Sequence, residues 1–288
     1  MYAITGITGQ VGGALARTLL AGNRAIRAIT RDPEKGRGWA GQGCEVALAE
    51  MYDAASLTAA FQAAEGVFIL PPSEFDPAPG FPEALAVIAA VKTALESARP
   101  GKVVCLSTIG AQVSQPNLLT QRTLMEQALG ELPLPVTFLR PAWFMENTAW
   151  DVGAARDTGV ISSFLQPLDR SVPMVATADV GRVAAELLQQ SWSGRRVVEL
   201  EGPRRVAPND IAATFAKLLG RPVCAEAVPR ETWGALFKSQ GMKDPMPRIQ
   251  MLDGFNEGWI EFEGGEAGSM KGQVDLETVL RALVRRAG

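Results

Sequence analysis

Seven residues near the amino terminus, Gly6-Ile7-Thr8-Gly9-Gln10-Val11-Gly12, constrain the rest of this 288-residue chain more than any other feature. They follow a short β-rich run, Met1 to Thr5, and precede a helical pattern with Val11, Leu15, Leu19 and Leu20 on one face. That pattern stops near Gly22-Asn23. A strand that passes at once into a helix needs residues without a Cβ, because the backbone turns tightly and a ligand must approach it closely. The helix then offers its first amides and its dipole to negative charge, which suits a pyrophosphate. The candidate phosphate-binding residues are therefore Gly6, Thr8, Gly9, Gln10 and Val11. Thr8 suits either capping the helix or bonding a phosphate, and the pattern does not separate these roles.

The remainder repeats the strand–helix alternation. Further strands are predicted over Ala25 to Thr30, Cys44 to Leu48, Val67 to Leu70, Val103 to Leu106 and Val136 to Leu139, the last interrupted by Pro141. Helices are predicted over Ala55 to Ala64, Glu83 to Ala98 and Leu118 to Leu129, with a Pro-rich surface loop from Ser73 to Pro82. This order defines an α/β class with a doubly wound parallel sheet. Beyond Glu146 the rhythm loosens. A helix is expected over Asp179 to Gln190, with Asp179 as its N-cap, then a strand over Arg196 to Leu200 and a helix over Asn209 to Leu219. The tail carries Trp233, Phe237, Met242, Phe255, Trp259 and Phe262 and reads as loop-rich. The expected organisation is a dinucleotide-binding domain over 1–147, to which 173–200 returns. Residues 148–172 and 201–288 form a smaller substrate domain over the carboxyl edge of the sheet.

Composition removes several classes of function. The chain has no histidine, which excludes Ser-His-Asp and Cys-His catalysis and any histidine metal site. Its three cysteines, Cys44, Cys105 and Cys224, are widely spaced and read as reduced thiols, so no metal site is expected. A formal charge of −3 gives no global support for nucleic acid or an anionic membrane. No targeting segment or membrane helix is apparent, and a cytoplasmic location with a small-molecule substrate is expected. After the second strand comes Arg31, followed by Lys35. An arginine there suits a ribose 2′-phosphate, whereas an acidic residue would suit free ribose hydroxyls, so the expected cofactor is NADP(H).

With that loop, Arg31, Ser107-Thr108 after Val103-Val104-Cys105-Leu106, and Leu139-Arg140-Pro141-Ala142-Trp143-Phe144-Met145-Glu146-Asn147, the chain resembles the NmrA-like group of atypical short-chain dehydrogenases/reductases. Within that group it looks like the bacterial NADPH-dependent quinone oxidoreductases. The resemblance implies an extended Rossmann domain, a smaller carboxyl-terminal domain and a cleft between them. Pro71 and Ser107, at strand ends, would then border the cofactor, and Arg122 would meet ribose hydroxyls or phosphate. Trp143, Phe144 and Asn147 would line the substrate side.

One departure matters. Typical short-chain reductases carry Tyr-x-x-x-Lys on the helix after the fifth strand, the tyrosine protonating a carbonyl oxygen. Aligned on Glu126, this chain has Leu118 and Arg122 at those places, and its only tyrosines are Tyr2 and Tyr52. Ser107 is the remaining hydroxyl candidate for a catalytic role. An unactivated ketone needs a positioned acid, whereas a quinone gives a weakly basic oxyanion. The expected activity is hydride transfer to a conjugated acceptor such as a quinone. The alternative is a redox sensor that binds NADP(H) without turnover and acts through a partner protein; an oligomer is compatible with either reading.

Overall fold

The computed structural model describes residues 1–287. Its strands are β1 (Tyr2–Ile4), β2 (Ile26–Thr30), β3 (Glu45–Leu48), β4 (Gly66–Ile69), β5 (Val103–Leu106), β6 (Val136–Pro141), β7 (Trp143–Phe144), β8 (Val160–Ser163), β9 (Met174–Val175), β10 (Arg195–Glu201), β11 (Cys224–Ala227) and β12 (Met270–Lys271). The helices are α1 (Gln10–Ala21), α2 (Pro33–Ala40), α3 (Ala54–Phe61), α4 (Pro82–Ala98), α5 (Thr120–Gly130) and α6 (Val152–Asp157). Then follow α7 (Thr177–Gln189), α8 (Pro208–Leu219), α9 (Trp233–Ser239), α10 (Met246–Glu257), α11 (Gly265–Gly268) and α12 (Leu276–Ala287).

Eight strands form one sheet in the order β12-β10-β6-β5-β4-β1-β2-β3, and every neighbouring pair is parallel. β4, β5 and β6 are buried along their whole length, as uninterrupted apolar strands covered on two faces should be. β6 runs to Pro141 rather than stopping at Leu139. Proline closes the ladder at its last position, and its carbonyl accepts the Ile109 amide at 2.9 Å. On one face α1 packs against α7 so closely that a Cβ on Gly181 would lie 2.5 Å from that of Ala14. The core of this face continues into the carboxyl-terminal helices. The other face is covered by α3, α4 and α5.

Four local readings are revised. Residues 33–40 form α2, because the Asp32 carboxylate caps the amides of Glu34 and Lys35 and Pro33 starts the first turn. α5 starts at Thr120, which leaves Leu118 in the segment before it. The tail is mostly helical rather than loop-rich, and Trp233 and Phe237 are completely buried. Asp179 lies inside α7, whose N-cap is Ala176. Its 1% exposed carboxylate pairs with Arg182 at 3.1 Å and accepts the amides of Gln273 and Val274, each at 2.8 Å. It fastens α7 to the segment between β12 and α12.

The outer edge is only partly covered. β12, from the stretch expected in the smaller domain, pairs with Leu200 and Glu201 alone. The carbonyls of Gly194 and Leu200 bond toward β6, so by strand alternation the backbone groups of Arg195 and Val197 point outward.

Replacing Asp179 with alanine leaves two amides without their acceptor and Arg182 with Glu186 alone. Asp179→Ala is expected to cost about 3 kcal/mol, read as a lower urea midpoint by circular dichroism.

Candidate active site

Parallel strands return through helices, so all their carboxyl ends meet at one edge, and the candidate residues collect there. Ile4 lies opposite both Ala28 of β2 and Phe68 of β4. The glycine loop, Arg31 and the Pro71 loop therefore leave the sheet as neighbours. β5 and β6 add Ser107 and the stretch to Asn147 on the other side.

The glycines are not equivalent. Gly6 sits at φ +63° and its carbonyl accepts the Gly9 amide at 3.0 Å. A Cβ on Gly12 would fall 2.3 Å from the Gly6 oxygen, so only glycine lets helix and strand close up here. A Cβ on Gly9 would meet only that oxygen, at 3.3 Å, leaving this face of the loop open to a ligand. α1 is capped by Gly9, which has no side-chain acceptor, and Thr8 is exposed rather than bonded to the helix. The first helical amides are thus available to an anion. Val11 is buried in the core, so only its backbone could serve. The Gln10 side chain accepts from the Thr177 hydroxyl at 3.2 Å, which ties α1 to the start of α7. Arg31 is exposed and has no acidic partner among the described residues, whereas Lys35 lies 3.9 Å from Asp32.

Arg122 turns under the loop after β4. Its guanidinium donates to the carbonyls of Pro71 at 3.0 Å and Pro72 at 3.2 Å and to the Ser73 hydroxyl at 2.7 Å. Burial lowers its pKa to about 10, so it stays charged at neutral pH. Ser107 is 5% exposed and donates to Glu126 at 2.5 Å. Arg140 grips that carboxylate with two bonds, at 2.9 and 2.7 Å, and also reaches Glu263 at 2.9 Å and Glu199 at 3.5 Å. The hydroxyl proton of Ser107 is therefore committed to a carboxylate. This network escaped sequence reasoning, although an arginine inside an otherwise apolar strand was a signal that a carboxylate partner exists.

α10 packs against the segments that follow β5 and β6. The Pro247 carbonyl accepts the Leu118 amide at 2.9 Å, and Phe255 meets the half-buried Trp143 edge-on at 5.1 Å. Asp76, in the loop after β4, accepts the amides of Lys243 at 2.8 Å and Asp244 at 3.0 Å. Phe144 is half-buried beside Trp143, and Asn147 is exposed in the 3-10 turn Met145–Asp151. Of the two tyrosines, Tyr52 lines a pocket with Pro71, Pro72, Gln121 and Arg122. Tyr2 begins β1 and donates to Glu65 at 2.6 Å, its pKa pushed up to about 12 by burial and by that carboxylate. Tyr52 is exposed in the turn after β3. Among the described residues no cluster of acidic or cysteine side chains suits a metal ion, and no helix is long and apolar enough to cross a membrane.

A glycine-loop α/β sheet with a cleft at its carboxyl edge defines a dinucleotide-binding class of protein. The chain belongs to the NmrA-like family, whose model matches residues 2–258. It is 29% identical over 246 residues to quinone oxidoreductase 2 of Escherichia coli (strain K12), covering 85% of this chain and 83% of that one. It is 26% identical over 260 residues to the NAD(P)H azoreductase of Xenophilus azovorans, covering 89% and 85%. The crystal structure of an Escherichia coli NADPH-dependent quinone oxidoreductase complexed with NADPH superposes with a TM-score of 0.74. It is 25% identical and covers 99% of this chain and 95% of that one.

The two glycine positions separate fold from binding. Gly9→Val is expected to melt within a few degrees of the parent while losing dinucleotide affinity by calorimetry. Gly12→Ala should instead lose about 2 kcal/mol or more of stability through overpacking against backbone.

Proposed function

We propose that this protein is an NADPH-dependent oxidoreductase acting on a small conjugated acceptor, a quinone first among them, without a side-chain acid. Bound NADPH supplies the hydride. The open amides at Gln10 and Val11, with Thr8, would hold the pyrophosphate. Arg31, with Lys35 behind it, would take the 2′-phosphate, since its guanidinium has no internal carboxylate to satisfy. Pro71 and Ser107 would flank the nicotinamide half. Arg122 would act there partly through the Pro71 loop that it braces, because several of its donors already end on that loop. Trp143, Phe144 and Asn147 would face the acceptor.

The observation that carries this reading is the pairing of Leu118 with Ser107. Leu118 is 7% exposed and aliphatic where short-chain reductases place the tyrosine. The Ser107 hydroxyl gives its proton to Glu126. Neither group can protonate an alkoxide as it forms. A reduced quinone leaves as a weakly basic oxyanion and takes its proton from water, while a simple ketone meets a barrier that a positioned acid would lower by about 10²–10⁴-fold in rate. The names of the relatives, a quinone oxidoreductase and an azoreductase, support acceptors of this kind.

A screen of NADPH oxidation over quinones, azo dyes, enones and simple ketones tests the reading. Saturable quinone turnover with ketones at background is expected. Arg31→Ala should weaken NADPH by about 10- to 100-fold and leave NADH nearly unchanged. Absence of turnover with every acceptor, together with binding that distinguishes NADP⁺ from NADPH, would replace the enzyme by a redox sensor.

A further inference from the structure

The arginines withdrawn from water in this chain end on oxygen, with one exception. Arg27, Arg140, Arg182 and Arg205 meet carboxylates. Arg122 ends on carbonyls and a serine, and Arg196 on a threonine hydroxyl and a glutamine side-chain carbonyl. Arg248, in the first turns of α10, is half-buried, and its only hydrogen-bond partner among the described residues is the Met242 sulfur at 3.9 Å. Its guanidinium lies 4.3 Å from the centre of the Phe237 ring and 5.9 Å from that of Phe164. The aromatic faces orient the planar group and supply no acceptor for its donors.

That arrangement costs desolvation and gains little inside the protein. Burial accordingly lowers the arginine's pKa, with no acidic neighbour to restore it. Its Nε and Nη2 are not sealed away, since among the described residues the buried side-chain polar atoms without a partner are Glu83 Oε2 and Trp192 Nε1. The guanidinium is therefore open to a ligand. Its position in the chain is also informative. The preceding residue, Pro247, bonds to Leu118, and Lys243 and Asp244 bond to Asp76 of the loop after β4. Residues 243–247 thus pack against the loops that follow β4 and β5, at the edge where the candidate residues collect.

We infer that Arg248 is a specificity residue that binds an anionic oxygen group, a carboxylate, sulfonate or phosphate, carried by the hydride acceptor. Phe237 holds the planar fork in place, and the fork then offers two parallel donors to the anion. The inference rests on the reductase reading for its substrate, while the anion site itself does not depend on turnover.

The test compares naphthoquinone with naphthoquinone sulfonate in the parent protein, Arg248→Met and Arg248→Lys. Dividing the two kcat/KM values removes the intrinsic reactivity of each quinone. Arg248→Met should lower the preference for the sulfonate by about 10- to 100-fold, and Arg248→Lys should restore part of it. Naphthoquinone turnover and NADPH affinity should change less than about threefold. Equal losses on both quinones, or an unchanged preference in Arg248→Met, would overturn the assignment. If the parent reduces neither quinone, the reductase reading fails, and calorimetry of naphthalene sulfonate with the NADPH-loaded protein decides the anion site alone. Tighter binding to the parent than to Arg248→Met supports the site, and equal binding rejects it.

Discussion

Arg140 is a full charge placed near the carboxyl end of a buried strand, 4% exposed, and the neighbouring structure is arranged around compensating it. An isolated guanidinium there would cost several kcal/mol, so carboxylates must come to it from wherever the chain can supply them. Glu126 arrives from α5, Glu199 from β10 and Glu263 from the segment before α11. Glu199 also accepts the amides of Glu263 and Gly264 at 2.8 and 3.0 Å, and Gln112 bonds to both Arg140 and the Glu261 carbonyl. One cation thereby sets the position of α5, the direction of the Ser107 hydroxyl and the seat of the segment 261–264. Two residues further along β10, the fully buried Glu201 repeats the device with Lys271, Ser269 and Arg205.

What was legible in the sequence is what the chain specifies over short distances. The glycine loop, the six leading strands and the helices between them each carry their own periodicity and stop signals. α2 carried one too, in Asp32-Pro33, and shows that a cap followed by proline outweighs a run containing two glycines. Asp179 fails for the opposite reason. An acidic residue near a helix start looks like a cap, yet its amide donors come from positions 94 and 95 residues later. Ser107 likewise could be recognised as a strand-end hydroxyl, but not as a donor to Glu126, nineteen residues away. The aromatic tail was visible as composition, whereas its role as packing around Phe164 emerges only once α9 and α10 fold over it.

The chemistry of the cleft follows from what its residues cannot do. The chain has no histidine, and on the proposed reading the groups near the acceptor are an alkyl side chain, a serine whose proton is taken and permanently charged arginines. Such a site works by binding and orientation, and it selects acceptors that need no more than that. Arginine is well suited to the task, because its charge and geometry do not change over the pH range in which the protein would work.

The half-covered margin of the sheet has a further consequence, for the protein in company rather than alone. Where β12 stops, Arg195 and Val197 turn their amides and carbonyls toward solvent, beside the exposed Val197 and Met270 side chains. A bare apolar margin of this kind recruits strands from other chains and seeds disordered association. Arg195 and Arg196 head this strand, and two like charges on each approaching copy discourage the edges from meeting. Charge at the head of this strand thus bears on how copies of the molecule meet, a role separate from that of the cleft residues.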